Sequence, residues 1–250
     1  MIAPATPIPS ASLILLRDAL DGLEVFMIRR HAGLRFAGGA TVFPGGRIDP
    51  EDWAPCGAEH PCERMVDHPL RVAAIRETFE ECGMLLAREP FDDERLRALR
   101  APSPHHFRER LRAARLEPAV EALMPFARWI TPERVWRRFD TTFYLALAPE
   151  GQTATIDGAE AVEGLWGTPG AILHAADAGR IELLFATRMN LTRLAACRTV
   201  GDAMDAAGCH WPLVPILPRL ADTEAGAVYR IAENAGYTPT EFAADQVRLG

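Results

Sequence analysis

Apolar residues along this chain come in short runs whose spacing changes from segment to segment. ASLILLRD (11–18) and LEVFMIRR (23–30) are compact apolar stretches joined through Asp21-Gly22, and they predict two strands of a hairpin. The opening MIAPATPIPSAS, rich in Pro and Ser, reads as a loose approach to the first of them. HAGLRFAGGATVFPGGRID then alternates glycines with Phe and Val, the pattern of a loop and short strand. In RVAAIRETFEECGMLL (71–86) the period lengthens: Val72, Ile75, Phe79, Cys82 and Leu86 recur every three or four positions, giving a helix with one apolar face to lay on a sheet. Residues 92–124 read as helices broken around Pro102 and Pro104, with Phe107, Leu111 and Ala114 turned inward, forming a cap or shoulder on the core. FARWITP and RRFDTTFYLALAP have the aromatic and β-branched content of strands, AEAVEGLW leads into a further one, and TPGAILHAADAG and the terminal region read as helical.

Composition narrows the setting. The 250 residues are 48% hydrophobic, enough for a substantial core, and no repeat or linker divides them. A net charge of -7, from 27 basic and 34 acidic residues, excludes broad charge-driven binding to a nucleic-acid polymer but permits a local basic pocket. No apolar run approaches the roughly 20 residues of a membrane span, and the start lacks a secretory leader, so the expectation is a cytoplasmic protein without a membrane partner. The five cysteines (Cys56, Cys62, Cys82, Cys197 and Cys209) are an odd, scattered set unlike a disulfide framework.

Candidate chemistry gathers on the polar face of the 71–86 helix. Glu77, Glu80 and Glu81 fall within about one turn on one sector. Three neighbouring carboxylates are either a solvated acidic face or a site for a hard divalent cation, which favours Mg2+ or Mn2+ over zinc. The Gly45-Gly46 pair is either a turn or a point of close backbone approach to phosphate. Arg137 and Arg138, just before a strand, are phosphate-recognition candidates or surface residues, and Trp129, Trp136 and Phe139 either stack on a base or pack in the fold. Cys56, His60, Cys62 and His68 carry zinc-type donors without the paired-cysteine spacing of a zinc knuckle.

GGRIDPED followed by RETFEECG resembles the signature of the Nudix hydrolases, in which a glycine-led loop and a helix bind divalent metal and the pyrophosphate of a nucleoside diphosphate derivative. Carried over position by position, Gly46 matches the leading glycine, Asp52 the first acidic position, and Arg76, Glu77, Glu80, Glu81 and Gly83 the remainder. Asp52 stands where Glu is usual, Thr78 where an aliphatic residue is usual, and the stretch from Asp52 to Arg76 is much longer than in the common signature. An insertion preserves such a site if its ends converge, since loop closure costs little more as length grows.

The resemblance implies an α/β fold, a Nudix alpha/beta/alpha sandwich with a mixed sheet and additional helices. It would span 1–250 as one domain, with a signature-loop insertion around 53–70 and a helical insertion around 90–124. Glu77 and Glu81 are the leading metal ligands, Glu80 a further ligand or water-orienting group, and Asp52 a weaker ligand. Glu80, Glu81 and Arg76 are the catalytic candidates, Arg76 acting as a buttress because its guanidinium stays protonated. Glu160 and Glu163 are acidic residues outside the helix that either orient water or complete the metal site, with Glu163 expected to face the core turn, or are ordinary loop residues. Segments from WITPERVWRRFD onward resemble a subgroup that includes peroxisomal coenzyme A diphosphatases of animals and related bacterial proteins, although VRLG does not read as a peroxisomal address. The expected ligand is a small nucleotide diphosphate derivative, coenzyme A or acyl-coenzyme A first, with ADP-ribose, NADH or a dinucleotide as alternatives. A nonhydrolytic nucleotide-binding regulator is the reading from another class, and a homodimer is expected from the habit of related proteins.

Overall fold

The two leading apolar runs form β1 (Ile8–Ala19) and β2 (Gly22–Arg30), an antiparallel hairpin closed at Ala19↔Gly22, where Gly22 takes a φ of 110°. The computed structural model describes residues 4–54, 65–209, 212–224 and 226–250. Leu13, Ile14, Leu15 and Leu16 are all fully buried, because β1 is central and covered on both faces; this is why its apolar run is continuous rather than alternating. β1 begins at Ile8, so Pro9 and Ser10 belong to the strand and not to a loose approach.

After β2 come β3 (Thr41–Val42), β4 (Gly45–Arg47), a single 3-10 turn at Pro50–Trp53 and helix α1 (His68–Cys82). α2 (Asp93–Arg100) and α3 (Phe107–Ala113) follow, then strands β5 (Met124–Ile130), β6 (Phe139–Leu147) and β7 (Ala161–Gly167). Helices α4 (Pro169–Asp177), α5 (Phe185–Leu194) and α6 (Val200–Gly208) lead to β8 (Pro215–Ile216), β9 (Arg219–Thr223), β10 (Gly226–Arg230) and β11 (Glu241–Ala243).

Among the described residues the main sheet is mixed and eight-stranded, ordered β3-β2-β1-β6-β5-β8, with β4 on β1 and β7 on β2. β1 runs parallel to β6 from Ile8↔Phe139 to Leu16↔Leu147. On its other edge it changes neighbour: residues 16–19 pair with β2, and Ser10–Ser12 pair with β4. Leu13, Leu15 and Phe26 pack on the face that meets α1, α2 and α3, whereas Ile14, Leu16, Val25 and Met27 pack on the face that meets α4, α5 and α6. The result is the expected α/β/α sandwich with a mixed sheet.

Three expectations change. α1 ends at Cys82, where Gly83 adopts φ 69° and its N–H caps the Phe79 carbonyl; Leu86 is buried beyond the helix. α2 and α3 are part of the core rather than a shoulder, with Leu96, Leu99, Phe107 and Leu111 in the same cluster as Val72 and Ile75, and the Phe107 ring 5.7 Å from that of Phe79. Among the described residues after α6 there is no α-helix; the chain forms β8, a three-stranded antiparallel sheet, β11-β10-β9, and short 3-10 turns at Glu233–Ala235 and Ala244–Gln246. Among the described residues no helix is long and apolar enough to cross a membrane.

Candidate active site

The rotation of α1 is set before its acidic residues are reached. Near its start, Arg71 donates to Asp67 at 3.0 Å and to the Val120 and Leu123 carbonyls, and the Tyr144 hydroxyl donates to the other Asp67 oxygen at 2.9 Å. With Val72, Ile75 and Phe79 held in the core, Arg76, Glu77, Glu80 and Glu81 are turned toward β4.

Arg76 is the hub of that face. Its Nε and Nη2 donate to the two Asp52 oxygens at 3.0 and 2.9 Å, Nη2 also to the Arg47 carbonyl at 2.9 Å, and Nη1 to Glu77 at 2.9 Å and Glu80 at 3.1 Å. Asp52 is fully buried and additionally accepts the Asp49 N–H at 2.8 Å. Both its oxygens are thus engaged, and Asp52 is the counterion that fixes Arg76. Arg76 is the expected buttress, but its two-point partner is Asp52 instead of a glutamate.

Glu81 lies beneath the glycine corner. It is buried, and its Oε2 accepts the Gly45 N–H at 2.9 Å, with Arg30 Nη1 at 3.5 Å from Oε1. At Gly46 a Cβ would come within 2.3 Å of Glu77 Oε1, so this glycine makes room for the carboxylate. At Gly45 a Cβ would strike the β1 backbone, 2.4 Å from the Ala11 carbonyl oxygen. The pair therefore serves two purposes, one for the sheet and one for the site.

Burial pushes the Glu81 carboxyl up to about 8, with repulsion from Glu77 and Glu160 adding to it against the Gly45 N–H and Arg30. Burial likewise takes Glu77 up to about 7, opposed by Arg76 and helped by Glu80 and Glu160, and raises Glu80. Burial disfavours the Arg76 cation, but the surrounding carboxylates outweigh it and hold the guanidinium protonated. Among the described residues no three His, Cys, Asp or Glu side chains are arranged to hold a metal ion; Arg76 Nη1 bonds both Glu77 and Glu80. The donor chemistry nonetheless fits a hard cation: oxygen ligands whose charge is suppressed by burial and by one another despite Arg76 and Arg30.

This face opens into a cleft of about 570 Å³ lined by Gly45, Gly46, Arg76, Glu77 and Glu80 at one part and by Arg30, Arg35, Phe36, Arg137, Phe139 and Glu160 elsewhere. Glu160 stands 3.9 Å from Arg30, in a turn where Asp157 accepts the Glu160 and Ala161 N–H groups. Glu163 is elsewhere: it pairs with Arg29 at 2.9 Å on the exposed side of the β2–β7 register and does not line the cleft. Arg137 lines the cleft, whereas Arg138 is buried and donates to the Thr131 and Ala5 carbonyls, so the arginine pair is divided between a cleft-lining and a structural position. Trp129 is a core residue against Phe185 and Tyr237, Trp136 is exposed, and Phe139 lines the cleft against Phe36 at 5.0 Å. Of the zinc-type donors only His68 lies among the described residues; Cys56, His60 and Cys62 lie outside them.

Sequence reasoning missed Arg30, Arg35, Phe36 and Arg47 as cleft residues. For Arg30 a signal existed: strand alternation places it on the opposite side from Arg29, at the end of a buried strand. Its Nε is buried without a hydrogen-bond partner among the described residues.

A central mixed sheet between two helical layers, with a glycine corner set on an acidic helix, defines the class of this protein. The sequence model of the NUDT19 Nudix domain matches residues 62–194. The human acyl-coenzyme A diphosphatase NUDT19 is 28% identical over 203 residues, covering 60% of this chain and 54% of that protein. Its Xenopus laevis counterpart is 26% identical over 200 residues, covering 58% and 53%. A crystal structure of a NUDIX hydrolase from Alicyclobacillus acidocaldarius superimposes with a TM-score of 0.67 at 29% identity, over 80% of this chain and 96% of that one. The chain belongs to the Nudix hydrolase family. It spans about half the length of the curated relatives it matches.

Proposed function

We propose that the protein hydrolyses a phosphoanhydride bond in a nucleoside diphosphate derivative with the help of Mg2+ or Mn2+, and that this derivative is coenzyme A or an acyl-coenzyme A. The observation that carries the reading is the buried Glu81 carboxylate beneath the Gly45 N–H, on the same helical face as Glu77 and Glu80 and beside the cleft. Family membership supports hydrolase activity in general, and the printed name of the human relative supports the acyl-coenzyme A class.

Glu77 and Glu81 would hold the cation, with Glu80 as a further ligand or a group that orients water. When bound, the cation supplies charge to phosphate oxygens and favours ionisation of water. Arg76, fixed by Asp52, holds Glu77 and Glu80 in place; the Gly45-Gly46 backbone lets a phosphate approach the helix; Arg30 offers a guanidinium to the same group. Glu160, on its turn across from Arg30, is a candidate to take the proton from the attacking water. Water adds to phosphorus, the bridging P–O bond breaks, and for coenzyme A the products are a phosphopantetheine compound and adenosine 3',5'-bisphosphate.

The test is product mass analysis with coenzyme A, acetyl-coenzyme A, ADP-ribose, NADH and diadenosine polyphosphates, with and without each cation, beside Glu81→Gln. The expected result is cation-dependent release of adenosine 3',5'-bisphosphate that falls by about 10²-fold or more in the variant. Turnover of another member of the panel replaces the substrate; saturable binding with no product from any of them replaces the enzyme with a nucleotide-binding regulator. The assembly is proposed to be a homodimer in the cytoplasm, the former checked by light scattering.

A further inference from the structure

The cleft has a second end whose chemistry differs from the acidic one. Gly46 on β4 and Thr142 on β6 are both in register with Ala11, on opposite sides of β1, and Phe139 lies three residues before Thr142. With strands about 4.8 Å apart and a rise of about 3.3 Å per residue, Phe139 stands about 14 Å from Gly46. That separation is longer than a diphosphate bridge, so a ligand with its diphosphate at Glu77 reaches Phe139 only with another part of the molecule.

What it would meet there is aromatic and cationic. The half-buried Phe36 and Phe139 rings are tilted at 59° with centroids 5.0 Å apart, and the Arg137 guanidinium lies 5.3 Å over the Phe139 ring. Arg35 precedes Phe36 and also lines the cleft. Among the described residues neither Arg35 nor Arg137 has an acidic partner, whereas Arg47 has Asp49 at 3.4 Å and Arg30 faces Glu81 and Glu160. The strand end is held firmly: Thr131 Oγ1 accepts the Phe139 N–H at 3.0 Å, and buried Arg138 ties Thr131 to Ala5. Arg137 is thus presented from a rigid hairpin base.

We propose that this end of the cleft is a subsite for a nucleoside bearing its own phosphate monoester, the base lying against Phe36 and Phe139 and the monoester dianion between Arg35 and Arg137. The inference rests on the nucleotide chemistry proposed for the same cleft and adds what selects among its substrates. Two guanidinium groups without carboxylate partners match a dianion, and a flat ring matches the aromatic wall.

Calorimetric titration of the whole chain without divalent cation, using adenosine 5'-monophosphate and adenosine 3',5'-bisphosphate, tests it. The bisphosphate is expected to bind at least about tenfold more tightly, and that ratio to fall to within about twofold in the Arg35→Gln/Arg137→Gln double variant. Arg137→Lys should retain part of the preference, and an unchanged unfolding midpoint shows that the variants are folded. Equal binding of the two nucleotides by the wild type, or an undiminished ratio in a folded double variant, overturns the subsite. Product assays separate the two ideas: a bisphosphate preference without hydrolysis sustains the subsite and removes the proposed reaction, while hydrolysis without the preference removes the subsite alone.

Discussion

Asp52 and Arg76, 24 positions apart in the chain, meet as a two-point ion pair with both partners almost wholly shielded from water. The pair joins the 3-10 turn after β4 to α1 and at the same time fixes the helix face that carries Glu77 and Glu80. Deleting one partner of a buried pair costs about 3–5 kcal/mol, because the other charge is left uncompensated. Glu77 and Glu80 still contact Arg76, so Asp52→Ala is expected toward the lower end, about 3 kcal/mol, read from urea unfolding. A variant as stable as the parent would show that Asp52 is not the counterion described.

How far the sequence discloses such a pair depends on distance along the chain. The β1–β2 hairpin, the apolar face of α1 and the grouping of Glu77, Glu80 and Glu81 all follow from local periodicity, and the structure has them with shifted ends: β1 starts earlier, at Ile8, and α1 stops at Cys82, short of Leu86. Asp52 was assigned by analogy to the metal; only the folded chain shows its oxygens occupied by Arg76. Glu160 and Glu163, three residues apart, could not be separated by composition, since the β2–β7 register is what turns Glu163 outward to Arg29. The sheet after α6 was missed because its strands are short and mostly exposed, leaving little apolar alternation to read.

The two adjacent glycines should separate fold from function. A methyl group at Gly45 collides with the β1 main chain, which has no free rotor to move aside, so Gly45→Ala is expected to cost about 1–3 kcal/mol in stability. At Gly46 the collision is with the end of the Glu77 side chain, which can swing away. Gly46→Ala should keep its unfolding midpoint while hydrolysis falls by about 10²-fold. Thermal unfolding and turnover measured on both variants check the contrast, which would be lost if Gly46→Ala were the less stable of the two.

In cation-free solution the acidic face should make stability depend on pH in an unusual direction. Burial raises Glu81 from 4.5 to about 8 and Glu77 from 4.5 to about 7. A group whose pKa is higher folded than unfolded contributes stability that is fully present below the unfolded value and is lost as pH rises through the folded one. Between about pH 5 and pH 8 the metal-free protein should therefore lose stability, by about 1 kcal/mol per pH unit for each group that remains protonated. Mg2+ should restore part of the loss near pH 8, and Glu81→Gln should flatten the profile. Unfolding midpoints that stay level or climb across this range in the metal-free protein would contradict the burial argument.

Neighbouring arginines at the base of the β5–β6 hairpin should respond differently to truncation. Arg138 is buried and donates to the Thr131 carbonyl at 2.9 Å and the Ala5 carbonyl at 2.8 Å, joining the hairpin base to the segment that enters β1. Removing it leaves two acceptors without their charged donor, a loss of about 1–3 kcal/mol. Among the described residues Arg137 makes no such bond, and it rests over the Phe139 ring at the cleft. Arg138→Ala should therefore lower the unfolding free energy, whereas Arg137→Ala should leave it within about 0.5 kcal/mol of the parent. Paired urea titrations decide the matter: equal losses in the two variants would mean that the hairpin base does not depend on Arg138 in the way its hydrogen bonds require.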